Sequence, residues 1–286
     1  MELEFTKMHG TGNDYVVVDG RSLGLNWNDI SASMCQRRFG VGADGLLVVT
    51  ESDTAAIRMR MFNPDGSEAE MCGNGLRCFT KFVVESNIVT LDSDTFSIET
   101  AKRIVTTTPF FKNGYVSSAR INMGNPLFDA DQIPIDGSSE EADRVPIIDS
   151  NLEVGGMNLS LNYVSMGNPH AVSFLDTPID NFDLHRIGPL VEHHPKFPQR
   201  MNFHIANLSD NGSILMRSWE RGAGETWSCG SGACAVGVAA SLRGHQDTDG
   251  TIKVPGGTLQ IHWEKDEGVF LEGPAAEVYA GRWLLP

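Results

Sequence analysis

The chain of 286 residues contains no apolar run near the roughly 18–20 residues that a membrane-crossing helix needs. It begins Met1-Glu-Leu-Glu-Phe5, without the basic and apolar regions of a secretory signal peptide, so none is expected. Basic residues are scarce: Lys and Arg number 22 against 37 Asp and Glu, a net charge of −15. That field repels phosphate backbones and anionic lipid, so neither nucleic acid nor a membrane is an expected partner. Five cysteines are an odd set, too few for a disulfide scaffold of this length, and a reducing, cytoplasmic home is expected. With 41% hydrophobic and 21% charged residues the chain can bury a core, which excludes disorder and coiled coil. What is abundant is glycine, at 30 residues.

Apolar periodicity predicts strands around Leu3–Phe5, 15–18, 46–49 and 57–62, with helices over 28–39 and 75–85. A β-rich stretch from 96 to 122 is split by Asn113-Gly114, a hairpin signal. The acidic segment 129–143 reads as a solvated loop. Beyond it, strands are expected near 158–165, 171–175, 201–208 and 213–219, helices near 181–192 and 231–242, and strands to the C-terminus. The mixture is α/β, or α+β with mixed sheets.

The two halves align without gaps at an offset of 157 residues. Arg60-Met-Phe-Asn63 falls on Arg217-Ser-Trp-Glu220, Glu68 on Glu225, and Cys72-Gly-Asn-Gly75 on Cys229-Gly-Ser-Gly232. The same offset places Gly10 on Gly167, Asn13 on His170 and Asp19 on Asp176. Register agreement at two separated sites points to duplication of one structural unit. The boundaries expected are 1–118, joined by the last strand 275–286, and 119–274.

Each half carries Cys-Gly-x-Gly at the start of an apolar helical run. Glycine admits a ligand closely, and a helix start offers unpaired N–H groups and a positive dipole end to an anion. A cysteine placed there has its thiolate favoured. Cys72 and Cys229 are therefore the candidate reactive thiols, while Cys35, Cys78 and Cys234, inside apolar runs, are expected to pack. If the halves pack about a pseudo-twofold axis, one thiolate removes a substrate α-proton and the opposite thiol returns one. That is a two-base racemase or epimerase, with oriented N–H donors at the carboxylate to stabilise the developing carbanion. Other readings fit less well. Gly40-Val-Gly42-Ala-Asp-Gly45 matches a dinucleotide fingerprint but follows a helix and precedes a strand, the wrong context. Zinc lacks a complete ligand set, and a papain-like cysteine would lie near the N-terminus. No C-x-x-C is present, yet a redox thiol protein stays open.

Four long motifs occur in order: Lys7-Met-His-Gly-Thr-Gly-Asn-Asp-Tyr15, Asn63-Pro-Asp-Gly-Ser-Glu-Ala-Glu-Met-Cys-Gly-Asn-Gly-Leu-Arg-Cys78, Met166-Gly-Asn-Pro-His170, and Glu220-Arg-Gly-Ala-Gly-Glu-Thr-Trp-Ser-Cys-Gly-Ser-Gly-Ala-Cys-Ala235. From residue 5 to the last strand the chain resembles the diaminopimelate epimerase family. The resemblance implies two pseudo-symmetric domains, each a mixed sheet wrapped on a central helix. It also implies conversion of LL-diaminopimelate to the meso form, for lysine and peptidoglycan precursors. Neither metal nor another cofactor is implied, and a homodimer is. By motif position Cys72 and Cys229 are the acid/base pair, assisted by His170 and Glu220. Asn13, Asn63, Asn168 and Asn202 resemble the family's substrate contacts. Glu220 and Arg221 would face the distal end of the substrate, and Gly73-Asn74 and Gly230-Ser231 its reacting carboxylate. Many family members carry Gln where this chain has Gly45, so one side-chain amide contact is missing. Racemases of the same fold acting on proline, hydroxyproline or histidine therefore stay open as alternatives.

Overall fold

The computed structural model describes residues 2–136 and 144–285, so the stretch 137–143 of the expected acidic loop lies outside the described residues. The chain divides into two compact units, Met1–Asn122 with Glu272–Pro286, and Met123–Leu271.

The first unit opens with strands Glu2–Gly10 (β1) and Asn13–Asp19 (β2), paired antiparallel across a tight turn. Thr11 and Gly12 both take positive φ there, as a two-residue hairpin turn that follows sheet twist requires. Helix Trp27–Met34 (α1) follows, then Gly45–Thr50 (β3), Ile57–Phe62 (β4) and the short Glu68–Ala69 (β5). Helix Gly73–Glu85 (α2) and strands Phe96–Glu99 (β6), Ile104–Lys112 (β7) and Tyr115–Asn122 (β8) complete the run. Asn113 and Gly114, both at positive φ, turn β7 into β8. β2 and β3 are parallel and read as unbroken apolar runs because both faces are covered. Val16, Val18, Leu46 and Val48 face α1 in one cluster with Trp27, Ile30 and Met34. Tyr15 and Leu47, on the opposite face, meet the first turn of α2 at Gly75. Helix α2 packs on β1, β2, β3, β4, β7 and β8, so the sheet wraps it.

The second unit repeats this order. It comprises Ser150–Val154 (β9), Met157–Ser165 (β10), Pro169–Phe174 (β11), helix Leu184–Glu192 (α3), Asn202–Leu208 (β12), Ile214–Glu220 (β13) and Gly224–Thr226 (β14). Helix Gly230–Leu242 (α4) and strands Asp249–Val254 (β15), Gly257–Glu264 (β16) and Gly268–Pro274 (β17) follow. Moved by 157 residues, α2 coincides with α4 end to end. The antiparallel registers repeat as well: Leu46 pairs with Phe62 as Phe203 pairs with Trp219, and Met61 with Ala69 as Ser218 with Thr226. The arginine and glutamate identical between halves make the same ion pair. Arg60 grips Glu68 through Nε and Nη2 at 2.8 Å each, and Arg217 Nε holds Glu225 at 2.8 Å. Each pair ties the hairpin that leads into a cysteine. The final strand, Ala276–Leu284 (β18), runs antiparallel to β1 in the first unit, as β9 does to β10 in the second.

Two helices differ from expectation at their ends. α1 stops at Met34 instead of reaching 39. The chain folds back there, bringing Gly40 so close to the end of α1 that an added Cβ would lie 2.3 Å from the Ser33 carbonyl oxygen. Phe39, counted on the apolar face, is 86% exposed. α3 starts at 184, where the Asp183 side chain accepts from Arg186 N and fixes the first turn.

α3 lies against β13 through a glycine. A Cβ at Gly188 would stand 2.5 Å from the Trp219 ring, with no room to retreat between a helix and a sheet. Gly188→Ala is expected to destabilise the protein by about 1–3 kcal/mol, read as a fall in the denaturant midpoint. An unchanged midpoint would show that the Trp219 contact is loose.

Candidate active site

Cys72 and Cys229 are the residues immediately before α2 and α4, each in extended conformation at the N-cap. The residue at the third helical position is glycine in both, closely packed in α2 and sterically required in α4. A Cβ at Gly232 would stand 2.4 Å from the His204 ring, and one at Gly75 would lie 3.3 Å from Leu47. The offset puts Leu47 on His204 and Tyr15 on Val172. The same two strands thus press on the same helix turn in each half, with different chemistry.

Around Cys72 the polar groups are amides and a phenol. Tyr15 Oη lies 3.0 Å from Cys72 Sγ and also donates to Asn13 Oδ1. Asn74 Nδ2 donates to the same Asn13 oxygen at 3.2 Å, and Asn13 Nδ2 donates to Asp44 at 2.7 Å. Asn74 is held in turn by Arg77, whose Nη1 donates to Asn74 Oδ1 at 2.9 Å. Arg77 is fully buried inside α2, where it also donates to Thr11 and to the Pro274 carbonyl. Behind Asn13, Lys7 and Arg37 clamp Asp14, and Arg37 also binds Asp44. Burial opposes ionisation of Asp14, but hydrogen bonds from Arg37 and Lys7 prevail and hold its carboxyl down at about 2. Asn63 belongs to a separate hydrogen-bond set in the β4–β5 turn, where its amide donates to Ser67 Oγ at 3.0 Å. Gly45 lies opposite Tyr15 in the β2–β3 register, and a side chain there would meet the Phe62 carbonyl at 2.9 Å.

Around Cys229 the polar groups form a directed chain. Gly232 N donates to the sulfur at 3.3 Å, and Ser231 Oγ lies 3.8 Å from it. Asn168 Nδ2 donates to Ser231 Oγ at 3.3 Å, which turns its Oδ1 to accept from His170 Nε2 at 2.9 Å. His170 Nδ1 then accepts from His204 Nε2 at 2.9 Å, and His204 Nδ1 accepts from Ser218 Oγ at 3.0 Å. Both imidazoles are neutral in this scheme. Burial pushes His204 down to about 3, and His170 is held well below the ordinary imidazole range by burial and by His204 beside it. Cys229 is driven well above the usual thiol range by burial and then by the Glu220 carboxylate, while the Gly232 N–H pulls the other way. Glu220 accepts from Thr226 Oγ1 at 2.5 Å. Asn202 holds backbone: its amide donates to the Pro169 carbonyl at 2.7 Å and its Oδ1 accepts from Arg221 N at 2.9 Å. The Arg221 guanidinium donates to the Gln199 carbonyl. Gly73 and Gly230 are the first residues of their helices, so their N–H groups belong to the open helix start.

His170, His204 and Cys229 bring one ligand atom each within 4.8 Å of one another, a set that suits a soft metal ion. The histidine pair already spends its facing nitrogens on each other, so an ion would have to break that bond. Sequence reading missed Tyr15, His204 and Arg77 as site residues. A histidine in the apolar strand Asn202-Phe-His-Ile-Ala206, at the position of a leucine in the other half, is the signal that exposes His204.

Two like α/β units, each with a cysteine capping a buried central helix, define a fold seen in several solved structures. A PhzF-family phenazine biosynthesis protein from Bacillus anthracis superposes with a TM-score of 0.73 at 17% identity, covering 100% of both chains. A probable proline racemase from Agrobacterium radiobacter gives 0.70 at 15% identity, covering 99% of this chain and 93% of that one. Sequence narrows the class. The diaminopimelate epimerase family profile matches residues 5–128 and 162–278, and the chain belongs to that family. Its relatives include proteins named diaminopimelate epimerase from Methanococcus maripaludis, 44% identical over 98% of this chain and 99% of the relative, and from Moorella thermoacetica, 41% identical over 99% and 100%.

The neutral histidine chain sets an acid limit on stability. His204 titrates near 6.5 when unfolded and near 3 when folded, so the unfolded state binds more protons between those values. Stability is expected to fall as pH drops below about 6.5, by up to about 1.4 kcal/mol per pH unit from this group, and to level off below its folded value. Denaturant titrations from pH 7 to 4 on the wild type and His204→Gln measure it. Equal pH slopes in the two proteins would contradict the buried neutral ring.

Proposed function

We propose that the chain interconverts LL- and meso-diaminopimelate by proton transfer at the α-carbon, with Cys72 and Cys229 as the two acid/base groups. The observation that carries the reading is the repeated Cys-Gly-x-Gly helix start, in a chain of this family. A thiolate in one half takes the α-proton, and a thiol in the other half supplies one to the opposite face. When the other isomer binds, the roles exchange. The scheme requires each sulfur to reach the same carbon. The α-proton of an amino acid is weakly acidic, so charge developing on the carboxylate needs donors already in place. The N–H groups at Gly73-Asn74 and Gly230-Ser231 are assigned that task, with Glu220 and Arg221 directed to the distal end of the substrate and Asn13, Asn63, Asn168 and Asn202 to its polar groups. His170 acts through Asn168 and Ser231 by fixing their orientation. It does not act as a titrating base in this reading, because both ring nitrogens are engaged and burial with His204 beside it holds the ring well below the ordinary imidazole range.

The reaction as proposed needs neither metal nor organic cofactor, since the two sulfurs supply both proton positions. We assign the enzyme to the cytoplasm: none of its five cysteines forms a disulfide, which suits a reducing compartment. Among the described residues no helix is long and apolar enough to cross a membrane. A homodimer is the assembly proposed. Each unit is taken as one half of the enzyme and supplies one thiol.

Turnover of LL-diaminopimelate in D2O, with no cofactor added, is expected to place deuterium at the α-carbon. Full epimerisation in both directions with all α-protium retained would sink the two-base scheme. Cys72→Ala and Cys229→Ala are each expected to lower kcat/KM by at least about a thousandfold, and near-wild-type activity in either would remove that thiol. Proline, hydroxyproline and histidine assayed alongside decide the substrate. The absence of any α-proton exchange would favour a redox thiol protein.

A further inference from the structure

The two thiols rest on unlike supports, and the difference lies in one side chain. Cys229 Sγ accepts from the amide of its own helix start, Gly232 N. At Cys72 the geometry is different: no backbone cap bond reaches the sulfur, and the Tyr15 hydroxyl lies 3.0 Å away instead. Val172 occupies the Tyr15 position in the second half and has no hydroxyl to offer.

We propose that Tyr15 is a positioning residue for the first thiol: its O–H donates to Asn13 Oδ1 while Cys72 is protonated and turns to the sulfur when Cys72 ionises. The proposal rests on the epimerase reading for its consequence and on geometry alone for its premise. A phenol has one proton to give and two acceptors within reach, Asn13 Oδ1 and Cys72 Sγ. While the thiol keeps its proton, S–H can donate to the phenol oxygen or, more weakly at 3.8 Å, to Asn13 Oδ1. Once the sulfur is an anion it is the stronger acceptor, and a short rotation about the C–O bond redirects the hydroxyl. Asn13 does not lose its partners in the exchange, because Asn74 Nδ2 still donates to its Oδ1. The substrate α-proton goes to sulfur, and Tyr15 keeps its own.

The ring is held for this task. Tyr15 is 1% exposed, so water does not compete for the hydroxyl. The ring packs beside two glycines, whose ideal Cβ positions lie 3.5 Å (Gly45) and 3.6 Å (Gly75) from ring carbons. The phenol stays protonated, since burial and the neighbouring Cys72 both push its ionisation well above the ordinary range. Other ionisable groups face the pair from each packed element. Cys78 and Arg77 lie on α2, and Cys78 is pushed up to about 12 by burial, so it stays a thiol. Asp44 lies just before β3, bound to Asn13 and Arg37, and Lys7 on β1 is paired with Asp14. Lys7, Asp14, Arg37 and Asp44 compensate one another, and Arg77 is fixed by Asn74, Thr11 and the Pro274 carbonyl, which leaves the hydroxyl as the group that can re-aim when Cys72 ionises. Tyr15 thereby helps set which sulfur carries the charge in the free enzyme.

The test is the pH dependence of alkylation of each cysteine by iodoacetamide, read by peptide mass in the full-length protein. In Tyr15→Phe the midpoint for Cys72 is expected to rise by about one pH unit, the loss of one hydrogen bond to an ionised group. The Cys229 profile is expected to stay in place. A second variant with 2,3-difluorotyrosine at position 15, a stronger donor, is expected to move the Cys72 midpoint down. It keeps the ring and the hydroxyl, so it reports even if Phe disturbs the packing. A Cys72 midpoint that moves in neither variant, or moves together with Cys229, overturns the proposal. Because alkylation needs no turnover, this outcome is separate from a failure of the epimerase reading, which would appear as absent α-proton exchange in the wild type. Given that exchange, kcat/KM for Tyr15→Phe is expected to fall by about the same factor in both directions, because the reaction equilibrium fixes their ratio.

Discussion

A thiol placed at the N-cap of a helix buried within its own sheet constrains everything packed against the first turn. The sulfur must stay close to the open N–H groups, the strands must pass beside the turn, and little volume is left at its third position. Gly75 and Gly232 meet that constraint in the two units, and the strands on that side fill the space with what they carry: Tyr15 and Leu47 in one unit, Val172 and His204 in the other. The remaining polar groups follow from this. A phenol and a histidine at the helix start are buried, so each must be hydrogen-bonded. The Asn13–Asn74–Arg77 set and the Asn168–His170–His204 chain are the two solutions.

Duplication explains why the solutions share a frame and differ in content. Residues that brace the hairpin before each cysteine kept their identity and their ion pair, Arg60 with Glu68 and Arg217 with Glu225. Other polar positions diverged. Asn13 and His170 occupy one position, and so do Asn63 and Glu220. The divergence leaves Cys72 half-exposed beside a donor and Cys229 buried beside a carboxylate. The proposed reaction, run on a carbon with two unlike faces, does not ask its two bases to be alike.

Much of the fold is written in short-range pattern. The apolar runs of β2, β3 and β12, the Asn113-Gly114 turn and the paired helix starts were readable because periodicity and turn chemistry are local. The features that were not readable depend on contacts distant in sequence. β5 and β14 are too short to carry a period, and β9 is defined by its partner β10. The false helical turn at 35–39 came from Phe39, whose spacing fits a helix face that the chain abandons when it folds back at Gly40. In the candidate site, cysteines and glycines carried a signal of type and spacing. Tyr15 carried none of its own, since a tyrosine in a strand is unremarkable until the strand is seen beside a helix start, and His204 shows only when the halves are aligned and it falls on Leu47. Arg77 read as one polar residue in an apolar helix, and its meaning lies in carbonyl and hydroxyl partners brought from Pro274 and Thr11.

The pairing of β18 with β1 has a consequence in time. β1 receives one of its neighbours from β18, so the first unit cannot close until residue 284 has been made. The second unit has all of its strands once residue 271 has emerged. Domains tend to fold in order of synthesis, and here that order is inverted for completion: the C-terminal half is able to finish first, while β1 waits with an open edge. Loss of β18 would therefore injure the N-terminal unit and leave the nearer one whole.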